Sequence, residues 1–203
     1  MEEIAMEDTH SHGHRIDPKV EYSAAKFGMW LFLGTEILLF GGLFAAYAIF
    51  RAKYATLFHE QHKELDVTLG AINTVILIFS SLTMAMGVSA IQKGKKNFLS
   101  ICLFITILCG LAFGFNKYIE YGHKFHNHIY PGTSIFFSLY FMMTGLHMLH
   151  VFAGITLLTV LLILTLKGKF SAQYNTPIEV GGLYWHLVDL IWIYLFPLLY
   201  LIS

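Results

Sequence analysis

The chain has 203 residues, 56% hydrophobic and only 13% charged, and its 13 basic and 13 acidic side chains cancel to a formal net charge of zero. That balance offers no basic surface, so no nucleic-acid partner is expected. The charges fall between long apolar runs rather than along them, which excludes an ordinary soluble domain with charge spread over its helices.

Residues 1–23 are polar and of mixed charge, and are expected to be a tail ahead of an apolar unit covering residues 24–203. They lack the basic start, short apolar core and cleavage site of a signal peptide, so the first apolar helix is expected to direct insertion itself. His10, His12 and His14 could chelate a transition metal weakly, set against the plainer reading of a solvated tail. Five apolar segments follow, at Ala24–Phe50, Val67–Ile91, Phe98–Tyr118, Phe136–Leu166 and Val180–Ile202. Crossing a hydrocarbon core takes about 20 helical residues. In lipid only helices and closed barrels satisfy every backbone polar group, and the alternation of barrel strands is absent. The expected fold class is therefore an all-α integral membrane protein, a bundle of five transmembrane helices.

The connections are short. Tyr130-Pro131-Gly132 predicts a turn before the fourth span, and Pro197 predicts a kink in the last turns of the fifth. With the N-terminus inside, the inner segments carry Arg15, Lys19, Lys26, Lys93, Lys95, Lys96, Lys167 and Lys169, and the outer ones Arg51, Lys53, Lys63, Lys117 and Lys124. Eight against five predicts a cytoplasmic N-terminus and a periplasmic C-terminus. Small residues mark expected packing seams at Gly110/Gly114, Gly42/Ala46 and Ala85/Ser89. Cys102 and Cys109 share one span about 10 Å apart, beyond disulfide reach, and read as small core residues.

The polar residues inside the spans carry the most information. Glu36 lies near the middle of the first span, where a bare carboxylate costs at least ~2.5–3.5 kcal/mol, so it must face the bundle. It is read either as a proton-handling or lipid-contacting group, or as a protonated carboxyl hydrogen-bonded to a neighbouring helix. Asn73 and Thr74 in the second span are expected to make interhelical contacts. Lys117 and Glu120 stand one turn apart at the end of the third and are expected to pair, with Tyr121 following. In the fourth, His147 and His150 share a helix face at a spacing that could bind a metal. In the fifth, His186 and Asp189 are expected to form a hydrogen-bonded pair: a proton relay, a support for a metal ligand, or buried polar glue. No third and fourth ligand accompanies these histidines, which favours glue. His59, His62, His123, His126 and His128 fall in the two outer loops, without a fixed ligand geometry.

Thr144-Gly-Leu-His147-Met-Leu-His150-Val151 resembles a helix of cytochrome c oxidase subunit III, a family within the haem-copper oxidases. So does Glu179 followed by Tyr184-Trp185-His186-Leu-Val188-Asp189-Leu-Ile-Trp192. Phe27–Glu36, with Leu-Phe-Ala-Ala-Tyr after it, is similar to the family helix bearing an intramembrane glutamate, and Lys117-x-x-Glu120-Tyr121 to another of its motifs. The similarity runs from about Lys26 to the C-terminus with the motifs in family order.

The resemblance implies an accessory subunit of a terminal oxidase that reduces oxygen to water and pumps protons in a bacterial inner membrane. It implies haem and copper in partner subunits I and II, none in this chain, and bound phospholipid. It further implies a packing role against subunit I and support of proton uptake there, which singles out Glu36. Lys117, Glu120, His147, His150, Trp185, His186 and Asp189 then serve as buried structural or lipid contacts, with no catalytic residue among them. The donor to the complex would be cytochrome c or a quinol, with cytochrome c favoured by the context of Glu36, and the complex could join a respiratory supercomplex. The longest family members carry seven helices; this chain matches the five-helix form, so part of the lipid-filled cleft of the longer form would need another subunit as its wall. A nitric oxide reductase accessory subunit, a stand-alone proton channel or transporter built on Glu36, His186 and Asp189, and a metal- or haem-binding enzyme using His147, His150 and His186 are the competing expectations.

Overall fold

The computed structural model describes residues 18–202, so the polar tail and its histidines lie outside the described residues. Within them every regular element is helical. Helix α1 spans Pro18–Lys53, α2 Ala55–Gln61, α3 Val67–Gln92, α4 Lys96–His126, α5 Ile135–Leu166 and α6 Thr176–Phe196. All but the short α2 are long and apolar enough to cross a membrane, which gives the five expected spans. The helices run past the expected limits because helical hydrogen bonding continues beyond the apolar stretch. Consequently His123 and His126 belong to the last turns of α4, not to a loop, and His59 lies on α2.

Local sequence chemistry sets the element ends. Asp66 caps α3, its Oδ1 accepting from the backbone N–H of Thr68 at 2.9 Å and of Leu69 at 3.0 Å. Ser134 caps α5, accepting from the Phe137 N–H. The tight turn from α3 to α4 has Gly94 at φ 72°, a left-handed conformation that favours glycine. Pro197 ends regular α-helix, and Pro197–Leu201 continue as a π-helical turn. Asp66→Ala is expected to lower stability by about 1 kcal/mol, as N-cap losses do. A lower thermal midpoint of the detergent-solubilised protein reads it; an unchanged midpoint would show that the cap is dispensable.

The core is built by α3, α4, α5 and α6, whose apolar windows are 39–50% buried, whereas that of α1 is only 17% buried. Helix α1 is therefore a strut laid against α5 and α6, with Phe27, Trp30, Leu38 and Ile49 facing outward. At the centre Trp185 is buried between α4 and α5, where Gly110 and Gly154 leave room for its ring. A Cβ on either glycine would meet the indole at 2.8 or 2.9 Å. The Gly110 seam is thus a true contact. Gly42 has nothing within 4 Å and Ala85 is exposed, so these two residues do not pack within this chain, while their seam partners Ala46 and Ser89 are half-buried.

Candidate functional site

Mid-membrane, α1 and α5 bring Glu36 and His150 together. Glu36 Oε2 lies 3.0 Å from His150 Nε2, with the side chains 13% and 11% exposed. The approach is off the line of an aligned hydrogen bond, so Oε2 counts among the buried atoms without a hydrogen-bond partner. The other ring nitrogen, Nδ1, is 2.9 Å from the Leu146 carbonyl one turn back on α5. Phe40 meets the imidazole at 65°, centroids 5.6 Å apart. The α6 residue Tyr184 donates its hydroxyl to the His150 carbonyl at 3.1 Å. Among the described residues no side chain of α1 pairs with Glu36, the neighbouring Thr35 donating to the Phe32 carbonyl instead; its partner comes from a helix more than a hundred residues later.

The two histidines of α5 do not converge on one point. His147 is fully buried, stacked on Trp192 at 5.3 Å and edge-on to Phe113 at 5.5 Å, and neither ring nitrogen has a hydrogen-bond partner. On α6, the expected His186–Asp189 pair does not form: His186 Nδ1 is 2.7 Å from the Ser81 hydroxyl of α3. Asp189, 5% exposed, keeps a buried Oδ1 without a partner. The i and i+3 spacing puts both residues on one face, but the hydroxyl of the adjacent helix reaches the imidazole first. Trp185 donates to Ser80 Oγ and Trp192 to Thr74 Oγ1, each at 3.0 Å. Asn116 donates to Asn73 at 2.9 Å, so Asn73 and Thr74 make the expected interhelical contacts. Among the described residues no group of three or more His, Cys, Asp or Glu side chains is arranged to hold a metal ion.

At the end of the bundle opposite the start of α1, the expected Lys117–Glu120 pair is present at 2.9 Å, with the side chains 1% and 3% exposed. It is the centre of a larger cluster. Lys117 Nζ donates to the Tyr200 hydroxyl at 2.6 Å, and the Tyr140 and Tyr200 hydroxyls each donate to Glu120 Oε1 at 2.7 Å. Lys124 stands 3.7 Å from the same oxygen and donates to the Glu64 carbonyl at 3.3 Å. The Trp192 ring lies under the Lys117 ammonium at 4.8 Å. Beside this cluster the Tyr121 hydroxyl bonds Thr144 Oγ1 at 2.6 Å; Thr144 already donates to the Tyr140 carbonyl, so Tyr121 is the donor. Sequence reasoning found the ion pair but missed the two tyrosines that complete it, because they come from other helices.

At the other end Glu179 joins three helices: it accepts from Tyr22 at 3.0 Å and Gln92 at 2.8 Å, with Lys26 at 3.7 Å. The sequence offered a signal here, an acidic residue in the first turn of α6, where the helix dipole favours it. Between α1 and α6, adjoining Glu36, runs an apolar groove of about 340 Å³ lined by Ile37, Phe40, Gly41, Phe44, Leu190, Ile191 and Tyr194.

The family described as cytochrome c oxidase subunit III matches residues 1–203. A probable cytochrome c oxidase subunit 3 of Nocardia farcinica is 36% identical over 175 residues, covering 86% of each chain. The cytochrome c oxidase subunit 3 of a Synechocystis species is 37% identical over 193 residues, 95% of this chain and 80% of that one. The quinol oxidase subunit 3 of Bacillus subtilis is 36% identical over 198 residues, 95% of this chain and 96% of that one. Similarity thus extends equally to relatives named for either electron donor.

Proposed function

This chain belongs to the cytochrome c oxidase subunit III family, and from that premise we propose that it is the non-catalytic flank of a haem-copper oxidase. In this reading the oxidoreductase chemistry, with its haem and copper, belongs to subunits I and II, and this chain packs against subunit I in a bacterial inner membrane. Its N-terminus is cytoplasmic and its C-terminus periplasmic, in line with the distribution of Lys and Arg. The observation that carries the reading is the fate of the buried polar groups. The histidines that could have been ligands are engaged or enclosed by this chain itself: His150 by Leu146 and Glu36, His186 by Ser81, His147 between two aromatic rings. The contacts of His150 with Glu36 and of His186 with Ser81 join separate helices, as polar contacts in membrane bundles do.

Glu36 is the group proposed to do more than pack, by supporting proton uptake into subunit I. The apolar groove beside it suits a phospholipid acyl chain, and the cationic and hydrogen-bonding groups around Glu179 suit a headgroup at the membrane surface. The affinity-tagged chain, extracted in mild detergent, should bring down partner subunits with a haem absorption spectrum; a lone chain without haem would overturn the reading. Turnover of that complex with reduced cytochrome c and with a quinol then assigns the donor. Glu36→Gln, which keeps size and polarity, is expected to leave assembly intact and to shorten the period over which the complex sustains turnover. A progress curve matching the unaltered complex over many turnovers would assign Glu36 to packing alone.

A further inference from the structure

We propose that Glu36 and His150 hold one proton between them, and that His150 is the positioning residue that keeps Glu36 in its proton-handling state. The inference rests on the reading of Glu36 given above and adds its partner, tautomer and stoichiometry. A carbonyl oxygen only accepts, so Nδ1, at 2.9 Å from the Leu146 carbonyl, carries a hydrogen. The nitrogen facing Glu36 Oε2 at 3.0 Å is then Nε2, and its protonation is the variable.

Three occupancies exist for that contact. With no proton, a carboxylate lone pair faces an imine lone pair across 3.0 Å, leaving a buried negative charge unpaired. With two, an O–H faces an N–H and the site holds an uncompensated positive charge inside the membrane. With one, the pair is either carboxylic acid and imidazole or carboxylate and imidazolium. Both are net neutral, and they interconvert by moving a proton from Oε2 to Nε2 once the carboxyl turns onto the axis. Only this occupancy satisfies both atoms.

The surroundings leave the pair to itself. From α1 the neighbour is the apolar ring of Phe40, and from α6 it is Tyr184, whose hydroxyl donates to the His150 carbonyl. On α5, His147 stands one turn back with its nitrogens directed among Phe113 and Trp192. Among the described residues no lysine or arginine forms an ion pair with Glu36.

The test uses the full chain in its purified complex with ¹⁵N-labelled histidine and ¹³C-labelled glutamate, read by solid-state NMR. The expected result is a protonated Nδ1 at His150 and one further proton on the pair, seen either as a protonated Nε2 beside a Glu36 carboxylate signal or as a bare Nε2 beside a Glu36 carboxylic-acid signal. A bare Nδ1, a bare Nε2 beside a carboxylate, or a protonated Nε2 beside a carboxylic acid would overturn the proposal. A functional arm separates it from the underlying reading. His150→Gln should shorten sustained turnover as Glu36→Gln does, and the double variant should lose no more than either single one. If Glu36→Gln shortens turnover and His150→Gln does not, Glu36 still handles protons and the shared-proton pair is wrong. If neither does, the proton-handling role fails with it.

Discussion

Glu120→Ala is expected to remove most of the folded chain from the membrane. The carboxylate is the shared acceptor of a buried cluster, taking hydrogen bonds from Lys117, Tyr140 and Tyr200 with Lys124 close by. Without it the Lys117 ammonium stays buried with no counter-charge, while Lys124 keeps the nearby carboxylates of Glu64 and Asp66, and breaking a buried ion pair from one side costs about 3–5 kcal/mol. The two phenols also lose their acceptor, at about 1–3 kcal/mol for each group left unsatisfied. Against a typical total stability of about 5–15 kcal/mol, that loss is decisive. Lys117→Met should be milder, because Glu120 keeps both tyrosine donors and Lys124. Tyr200→Phe should cost about 1–3 kcal/mol, and would show that the last turn of the chain is part of the cluster. Abundance in membranes and the thermal midpoint of the purified complex rank the three variants. A Glu120→Ala protein with an unaltered midpoint would mean that the cluster does not hold the bundle.

Trp185→Ala is expected to have the second largest effect, about 3 kcal/mol, at the low end of the range for deleting a buried aromatic residue. The low end applies because lipid is as apolar as the core, so removing the ring forfeits packing rather than transfer from water. The indole fills the space left by Gly110 and Gly154 and donates to Ser80, so its loss opens a cavity and strips Ser80 of a donor. The converse change tests the same fit. Gly154→Ala puts a Cβ 2.9 Å from the ring and should cost about 1–3 kcal/mol by overpacking. Residues in contact couple energetically, so combining the two substitutions should recover part of the loss. Strict additivity in a double-mutant cycle would show that glycine and tryptophan do not share the space.

The five spans were legible from hydropathy, since each helix satisfies its own backbone and needs only enough apolar residues to cross. Pairing within a helix was legible for the same reason: Lys117 and Glu120 are brought together by the helical repeat, whatever lies beyond it. The motifs shared with the family were also present in the residues themselves. The same repeat put His186 beside Asp189 and His147 beside His150, yet neither spacing became a bond, because the depth and rotation of each helix in the bundle decide what each side chain meets. Ser81 on α3 took His186, aromatic rings enclosed His147, and Glu36 on α1 drew His150. The sequence by itself thus determined how many helices cross the membrane and which polar residues would have to be hidden within them. Only the tertiary structure decided their partners on other helices, because a contact between helices depends on how two surfaces are set against each other and not on any spacing along one chain.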